Sequence, residues 1–182
     1  MTKSLIFSEH RHQAWVQLHY TYDMISKCEE TTFVQKAGIS HQQFLVLMTI
    51  ESIDGLTTAA ELARRLQRNA NTISMIADRL EKLGLVKKVR SRKDRRLVYL
   101  KITQLGKEKL EQALRVGWGL IERLTSCFSE EELHLFASLL EKLRLQAFRE
   151  LGLGEDANQT AVMNFQKSVR ILENTEDKKP VV

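Results

Sequence analysis

The sequence predicts a mainly α-helical protein with a small two-stranded β element near its middle. Three observations carry this. Apolar residues recur at intervals of three and four over most of the chain, the repeat of a helix with one buried face. Proline occurs once, at Pro180, so little interrupts these repeats. Only residues 85–102 break into short runs, one of them alternating, on either side of a basic loop.

Each element has its own signal. Residues 8–28 read as a long first helix, with Trp15, Leu18, Tyr22 and Ile25 on one stripe and His12 and His19 beside it. Residues 29–38 read as a polar connection ending at Gly38. Ser40 and Gln43 have capping-box spacing, and Phe44, Leu45, Leu47 and Met48 give the buried face of a helix to about Ser52. Asp54 and Gly55 mark a turn.

Thr58 and Glu61 repeat the capping-box spacing, and Ala59, Leu62, Ala63 and Leu66 form the next stripe. Gln67 and Arg68 interrupt it, and Asn69 suits the N-cap of a further helix. That helix carries Ile73, Ile76, Ala77, Leu80 and Leu83 on its inner side, with Gly84 as its C-terminal stop. Its outer side carries Ala70, Asn71, Ser74, Met75, Asp78 and Arg79.

Val98, Leu100 and Ile102 alternate with Tyr99 and Lys101 as in a half-buried strand, and Leu85, Val86 and Val89 supply a partner strand. The connecting segment 90–96, Arg-Ser-Arg-Lys-Asp-Arg-Arg, is too charged for a core. Helix, helix, strand, turn, strand is the order of a winged helix-turn-helix.

After Thr103 a long helix is predicted to about Cys127, with Leu110, Leu114, Gly117, Ile121 and Leu124 in register. Gly117 and Gly119 each cost ~1 kcal/mol against alanine there, which points to close helix contacts or a bend. Ser129 and Glu132 begin another helix, whose Leu133, Phe136, Leu139, Leu140, Leu143 and Ala147 continue to about Leu151. Val162, Phe165, Val169 and Leu172 predict one more amphipathic helix from about Gln159 to Asn174, before a disordered tail. The implied organisation is 1–38, first long helix and connection; 39–103, winged helix-turn-helix; 104–151, two long helices; and 152–182, extra helix and tail.

Charge is unevenly placed. Residues 64–101 hold 13 basic and 3 acidic side chains, a net of +10, whereas the whole chain is +5. The rest therefore carries −5, from 15 basic and 20 acidic residues. A concentrated cation on an otherwise acidic chain suits phosphate attraction with counterion release. Short polar side chains near the start of the second helix of the pair, Asn71, Thr72 and Ser74, have the reach to read base edges in a major groove. Thr72 has a plainer reading as the residue closing the first turn, and Arg79 could equally pair with Asp78 or Glu81, or lie on a phosphate.

Other classes find no support. No apolar run approaches the ~18 residues of a membrane span. The first eleven residues lack the apolar core of a secretion signal. Cys28 and Cys127 are far apart and suit a reducing cytoplasm, with Cys127 read as a small core residue. The five histidines and two cysteines have no zinc spacing, so neither a metal nor another cofactor is expected. Nucleophile elbow, phosphate loop and dinucleotide fingerprint are all missing, so an enzyme is not expected.

Three groups of residues then resemble the MarR family of bacterial transcription regulators. They are Leu62, Ala63 and Leu66; the run from Asp78 to Val86; and Asp94, Arg95 and Arg96 followed by Leu100, Ile102, Thr103 and Gly106. The resemblance covers about residues 8–150. It implies a cytoplasmic homodimer in which the first and last long helices of two subunits intertwine. It implies binding to a pseudo-palindromic duplex operator, repression rather than activation, and release by a small effector, often an aromatic acid. Arg68, Arg92, Lys93 and Arg95 would lie on phosphates, Arg96 would enter a minor groove, and Asp94 would help hold the wing. Trp15, His19, Phe44 and Met48 would line the effector cleft, against the plainer reading of all four as core.

Three features depart from the family, the first being the expected extra helix and tail after Gly152, Leu153 and Gly154. Ala70 and Met75 stand where members often carry arginine, which moves base recognition to Asn71, Thr72, Ser74 and Arg79, with Met75 suited to a thymine methyl. Cys28 lies near the end of the first helix, not near its start, so the peroxide-sensing pattern does not fit. The alternative function is a ligand-responsive or protein-binding winged-helix module with little specific DNA binding.

Overall fold

The structure, a computed structural model, describes residues 9–53, 56–92, 94 and 96–153. Helix α1 spans Glu9–Thr32 and runs directly into a π-helical turn, Phe33–Ala37. Helix α2 is His41–Ser52, strand β1 Thr57–Thr58, α3 Ala59–Arg65 and α4 Ala70–Lys82. Strands β2, Val86–Arg90, and β3, Val98–Ile102, form the hairpin; α5 is Gln104–Thr125 and α6 Glu130–Glu150. The extra helix expected at 159–174 and the turn at Asp54 and Gly55 lie outside the described residues.

Residues 29–37 are helical, not a polar connection. Phe33 and Ala37 are buried four residues apart, and this apolar pair holds the chain in helical form past the polar side chains around it. The helix stops at Gly38, whose φ of 68° is readily reached only without a Cβ. Two carbonyls at this end are satisfied by α5: Lys109 donates to Ala37 O at 3.2 Å and Gln112 to Lys36 O at 3.2 Å.

Local capping chemistry fixes the other helix starts. Ser40 with Gln43, and Ser129 with Glu132, form complete capping boxes. Thr58 accepts from the Glu61 N–H, but the Glu61 carboxylate turns to Arg64 and Arg65, so only half of that box forms. Asn69 caps α4 by accepting from the Asn71 N–H at 2.8 Å. Both members of the helix pair end in the same motif. Gln67 N–H bonds Arg64 O and Arg68 N–H bonds Ala63 O, while Gly84 N–H bonds Glu81 O and Leu85 N–H bonds Leu80 O.

Among the described residues the sheet has three strands, in the order β1-β3-β2, all antiparallel. Thr58, read from the sequence as a helix cap, and Thr57 beside it pair with Tyr99 and Leu100 and add an edge to the two-stranded wing. Across the hairpin Val86 opposes Ile102, Lys88 opposes Leu100 and Arg90 opposes Val98.

One core joins these parts. Leu47, Leu62, Ile73, Leu80, Leu100 and Leu110 are almost completely buried, each stabilising by about 1.5–3 kcal/mol relative to exposure. Leu83, expected on the inner stripe of α4, is half exposed at the helix end. Gly117 is a close approach: a Cβ there would lie 3.1 Å from Phe33 Cζ. Gly119 faces only Arg123 of its own helix and makes no such contact. Cys127 is exposed and not core, because the α5–α6 junction lies beyond the last buried position of α5, Leu120. In the single chain neither α1 nor α6 buries a residue, so Trp15, Tyr22, Phe136, Leu139, Leu140 and Leu143 stand exposed.

Candidate nucleic-acid interface and interior cavity

The stripe that buries Ile73, Ile76, Ala77 and Leu80 turns the opposite face of α4 outward. Asn71, Thr72, Ser74, Met75 and Arg79 are all exposed on it, and Met75 is 57% exposed. A large thioether left in water at the centre of a polar face gains nothing from folding. Arg68 is exposed in the turn between α3 and α4.

Lys88 fixes the hairpin against this helix. It shares a face of β2 with Val86 and reaches both Asp78 and Glu81 of α4, the latter at 3.1 Å. The hydrogen bond from Lys88 holds the Asp78 carboxyl below its ordinary range, and the two carboxylates raise the Lys88 ammonium. The acids expected as alternative partners of Arg79 are thus engaged by Lys88. Within residues 64–101 Lys88 is one cation among thirteen; only its placement on the inner face of β2 distinguishes it.

The outer face of the hairpin differs. Lys87 and Lys101 are directly opposed across β2 and β3, and both are exposed. Like charges in such a pair destabilise a sheet, so this placement favours an anionic partner. At the tip Asp94 organises the turn: its Oδ1 accepts from Arg96 N–H at 2.9 Å, its carbonyl from Leu97 N–H at 3.0 Å, and its own N–H donates to Ser91 Oγ. Arg92 and Arg96 are exposed there. Lys93 and Arg95 lie outside the described residues.

A cavity of about 440 Å³ lies where α1, the π-helical turn, α2 and α5 meet. Phe44 and Met48 line it, joined by Phe33 and Trp118. Trp15 and His19 do not. Because α1 is continuous into the π-helical turn, Trp15 sits ~27 Å along the helix from Phe33. Its ring packs on that of His19 at 4.6 Å, tilted by 55°, and it borders a groove with Leu139, Leu140 and Leu143 of α6. The cavity's titratable lining is Glu29 and His41, with His41 Nδ1 3.2 Å from Glu29 Oε2. The His41 ring packs on Phe33 at 5.1 Å and Phe44 at 6.0 Å. Among the described residues no cluster of three or more His, Cys, Asp or Glu is placed to hold a metal ion, and no helix is long and apolar enough to cross a membrane.

A paired-helix unit with an outward polar helix and a basic hairpin locked to it defines a winged helix-turn-helix regulator of transcription. The sequence pattern of the MarR family matches residues 37–97. The HTH-type transcriptional repressor MdtR of Bacillus subtilis is 30% identical over 110 residues, which are 60% of this chain and 70% of MdtR. The chain belongs to the MarR family.

Solved structures agree on the fold. The organohalide-sensing regulator RdhR, in a 2,4-dichlorophenol-bound form, superposes with a TM-score of 0.68 at 23% identity, covering 80% of this chain and 86% of that one. A mutant MarR of Escherichia coli, complexed with operator DNA, gives a TM-score of 0.62 at 25% identity, covering 71% and 95%.

Proposed function

We propose that the protein is a homodimeric repressor that binds a pseudo-palindromic duplex operator in the cytoplasm and is released by a small molecule. The observation that carries the DNA reading is the joint outward display of the α4 polar face and the basic hairpin, held in one geometry by Lys88. In this reading Asn71, Thr72, Ser74 and Arg79 contact base edges and Met75 takes a thymine methyl. Arg68, Arg92, Lys93 and Arg95 neutralise phosphates, Asp94 holds the wing, and Arg96 enters the minor groove.

The dimer reading rests on α1 and α6. Two long helices with exposed apolar residues and no buried ones need a partner surface, and a second copy supplies an equivalent pair. Two recognition helices would then enter successive major grooves ~34–36 Å apart. Repression is supported by the names of relatives, MdtR among them. Release is supported by the cavity, which touches α1 and α5 on one side and α2 of the winged lobe on the other. A ligand there that prefers one arrangement of the two alters DNA affinity.

The test is titration into random-sequence duplex DNA across a salt series, with wild type beside Arg96→Ala. Affinity is expected to fall steeply with salt, by a log–log slope of about −0.9 per phosphate contact, and Arg96→Ala is expected to bind more weakly. Absence of binding by a folded dimer would overturn the DNA reading in favour of a ligand- or protein-binding module, which the arginine-poor α4 face would then suit.

A further inference from the structure

We infer that the cavity between α1, α2 and α5 selects an apolar monocation, an aromatic ammonium or its like, and rejects the aromatic carboxylates that the family resemblance suggests. This rests on the effector reading above. The cavity wall is almost wholly apolar, and its one acidic group is Glu29; none of the described lining residues is Lys or Arg. A carboxylate ligand would give up its water to sit against a carboxylate with no cation to receive it, which is unfavourable on both counts.

A cation meets the opposite situation. Glu29 supplies the counter-charge, and the rings of Phe33, Phe44 and Trp118 offer electron-rich faces to it. Phe33 and Phe44 already pack together at 4.6 Å, so a flat apolar body is accommodated beside them. Two further carboxylates are tied to cavity residues from outside. Glu30 accepts from the His41 N–H at 3.1 Å, and Glu122 accepts from the Trp118 indole N–H at 3.1 Å. His41 tempers the Glu29 charge through its 3.2 Å contact with Glu29 Oε2.

The experiment is calorimetric titration of the full-length protein with three probes on one skeleton: naphthylmethylammonium, naphthylmethanol and naphthoate. The ammonium is expected to bind about tenfold or more tighter than naphthoate, with the alcohol between, since a charge-assisted contact is at stake. Glu29→Gln is expected to bring the three within about threefold of one another. His41→Gln, which strips Glu29 of its partner, is expected to widen the preference for the ammonium. General damage to the cavity would not move two variants in opposite directions.

Naphthoate binding as tightly as the ammonium to the wild type would overturn the inference, as would a preference untouched by Glu29→Gln. The same probes are added to the protein bound to duplex DNA. If they bind, show the naphthoate preference and still release DNA, only the charge selection fails. If the wild type binds none of the three, or binds them with no change in DNA affinity, the effector reading fails and the inference with it.

Discussion

Gly106→Ala is the substitution whose cost the structure fixes most tightly. A Cβ at this position would lie 2.1 Å from the Leu85 carbonyl oxygen and 2.7 Å from Ile102 Cγ1. The first neighbour is backbone in the segment joining α4 to β2, and the second is a buried side chain of β3, so neither can swing aside. Relief needs about 1 Å of separation between the start of α5 and the hairpin base, against ordinary van der Waals contact.

That junction is also where Thr103 works. Its hydroxyl donates to Gly84 O at 2.7 Å and accepts from Gly106 N–H at 3.0 Å, while its N–H donates to Leu85 O at 3.0 Å. Overpacking of a core contact costs about 1–3 kcal/mol, and loss of the cap about 1 kcal/mol more. Better helix propensity returns at most about 1 kcal/mol. The net expectation is a loss of about 1–3 kcal/mol, or about 2–12 °C in melting temperature for a chain of this length. Urea unfolding at fixed protein concentration measures it, because the stability of an oligomer depends on concentration. Gly119→Ala is the control: its Cβ would meet only the end of the Arg123 side chain, at 3.4 Å, and it should be neutral or stabilising by up to about 1 kcal/mol. A loss below about 0.5 kcal/mol for Gly106→Ala, or equal losses for the two variants, would refute the steric argument.

Two further predictions follow from side-chain placement. Hydrogen bonds from Arg64 and Arg65 lower the Glu61 carboxyl to about 2 in the folded protein, so its contribution is fully present above the unfolded value of 4.5 and is lost as pH falls from there towards about 2. Because the group is partly exposed, Glu61→Gln should cost about 1 kcal/mol or less at neutral pH and nothing below pH ~2, which denaturation curves at the two pH values would reveal. Lys88→Gln should weaken DNA binding while leaving its salt slope within experimental error, since Lys88 is engaged by Asp78 and Glu81 and not by phosphate. Loss of about one unit of slope would instead make it a phosphate contact.

The sequence by itself determined what is local. Helices α2 to α6 follow from caps and stripes within a turn or two, as at Ser40 with Gln43 or Ser129 with Glu132. The hairpin follows from alternation at residues 98–102, and the basic interface from charge counted along the chain. The family was legible for the same reason, since its motif residues cluster in one continuous lobe. Tertiary structure alone decided what joins distant segments. Residues 29–37 are helical because Phe33 and Ala37 pack into a core built by α2 and α5, which no window of a polar stretch reveals. Thr57 and Thr58 became a strand because β3, about forty residues later, offered them an edge. The cavity gathers Glu29, Phe33, His41 and Trp118 from separate elements and excludes Trp15 and His19, because a helix rising ~1.5 Å per residue carries them several turns away. Lys88 differs from its basic neighbours only in the side of β2 it occupies, and pairing register, a long-range property, sets that side.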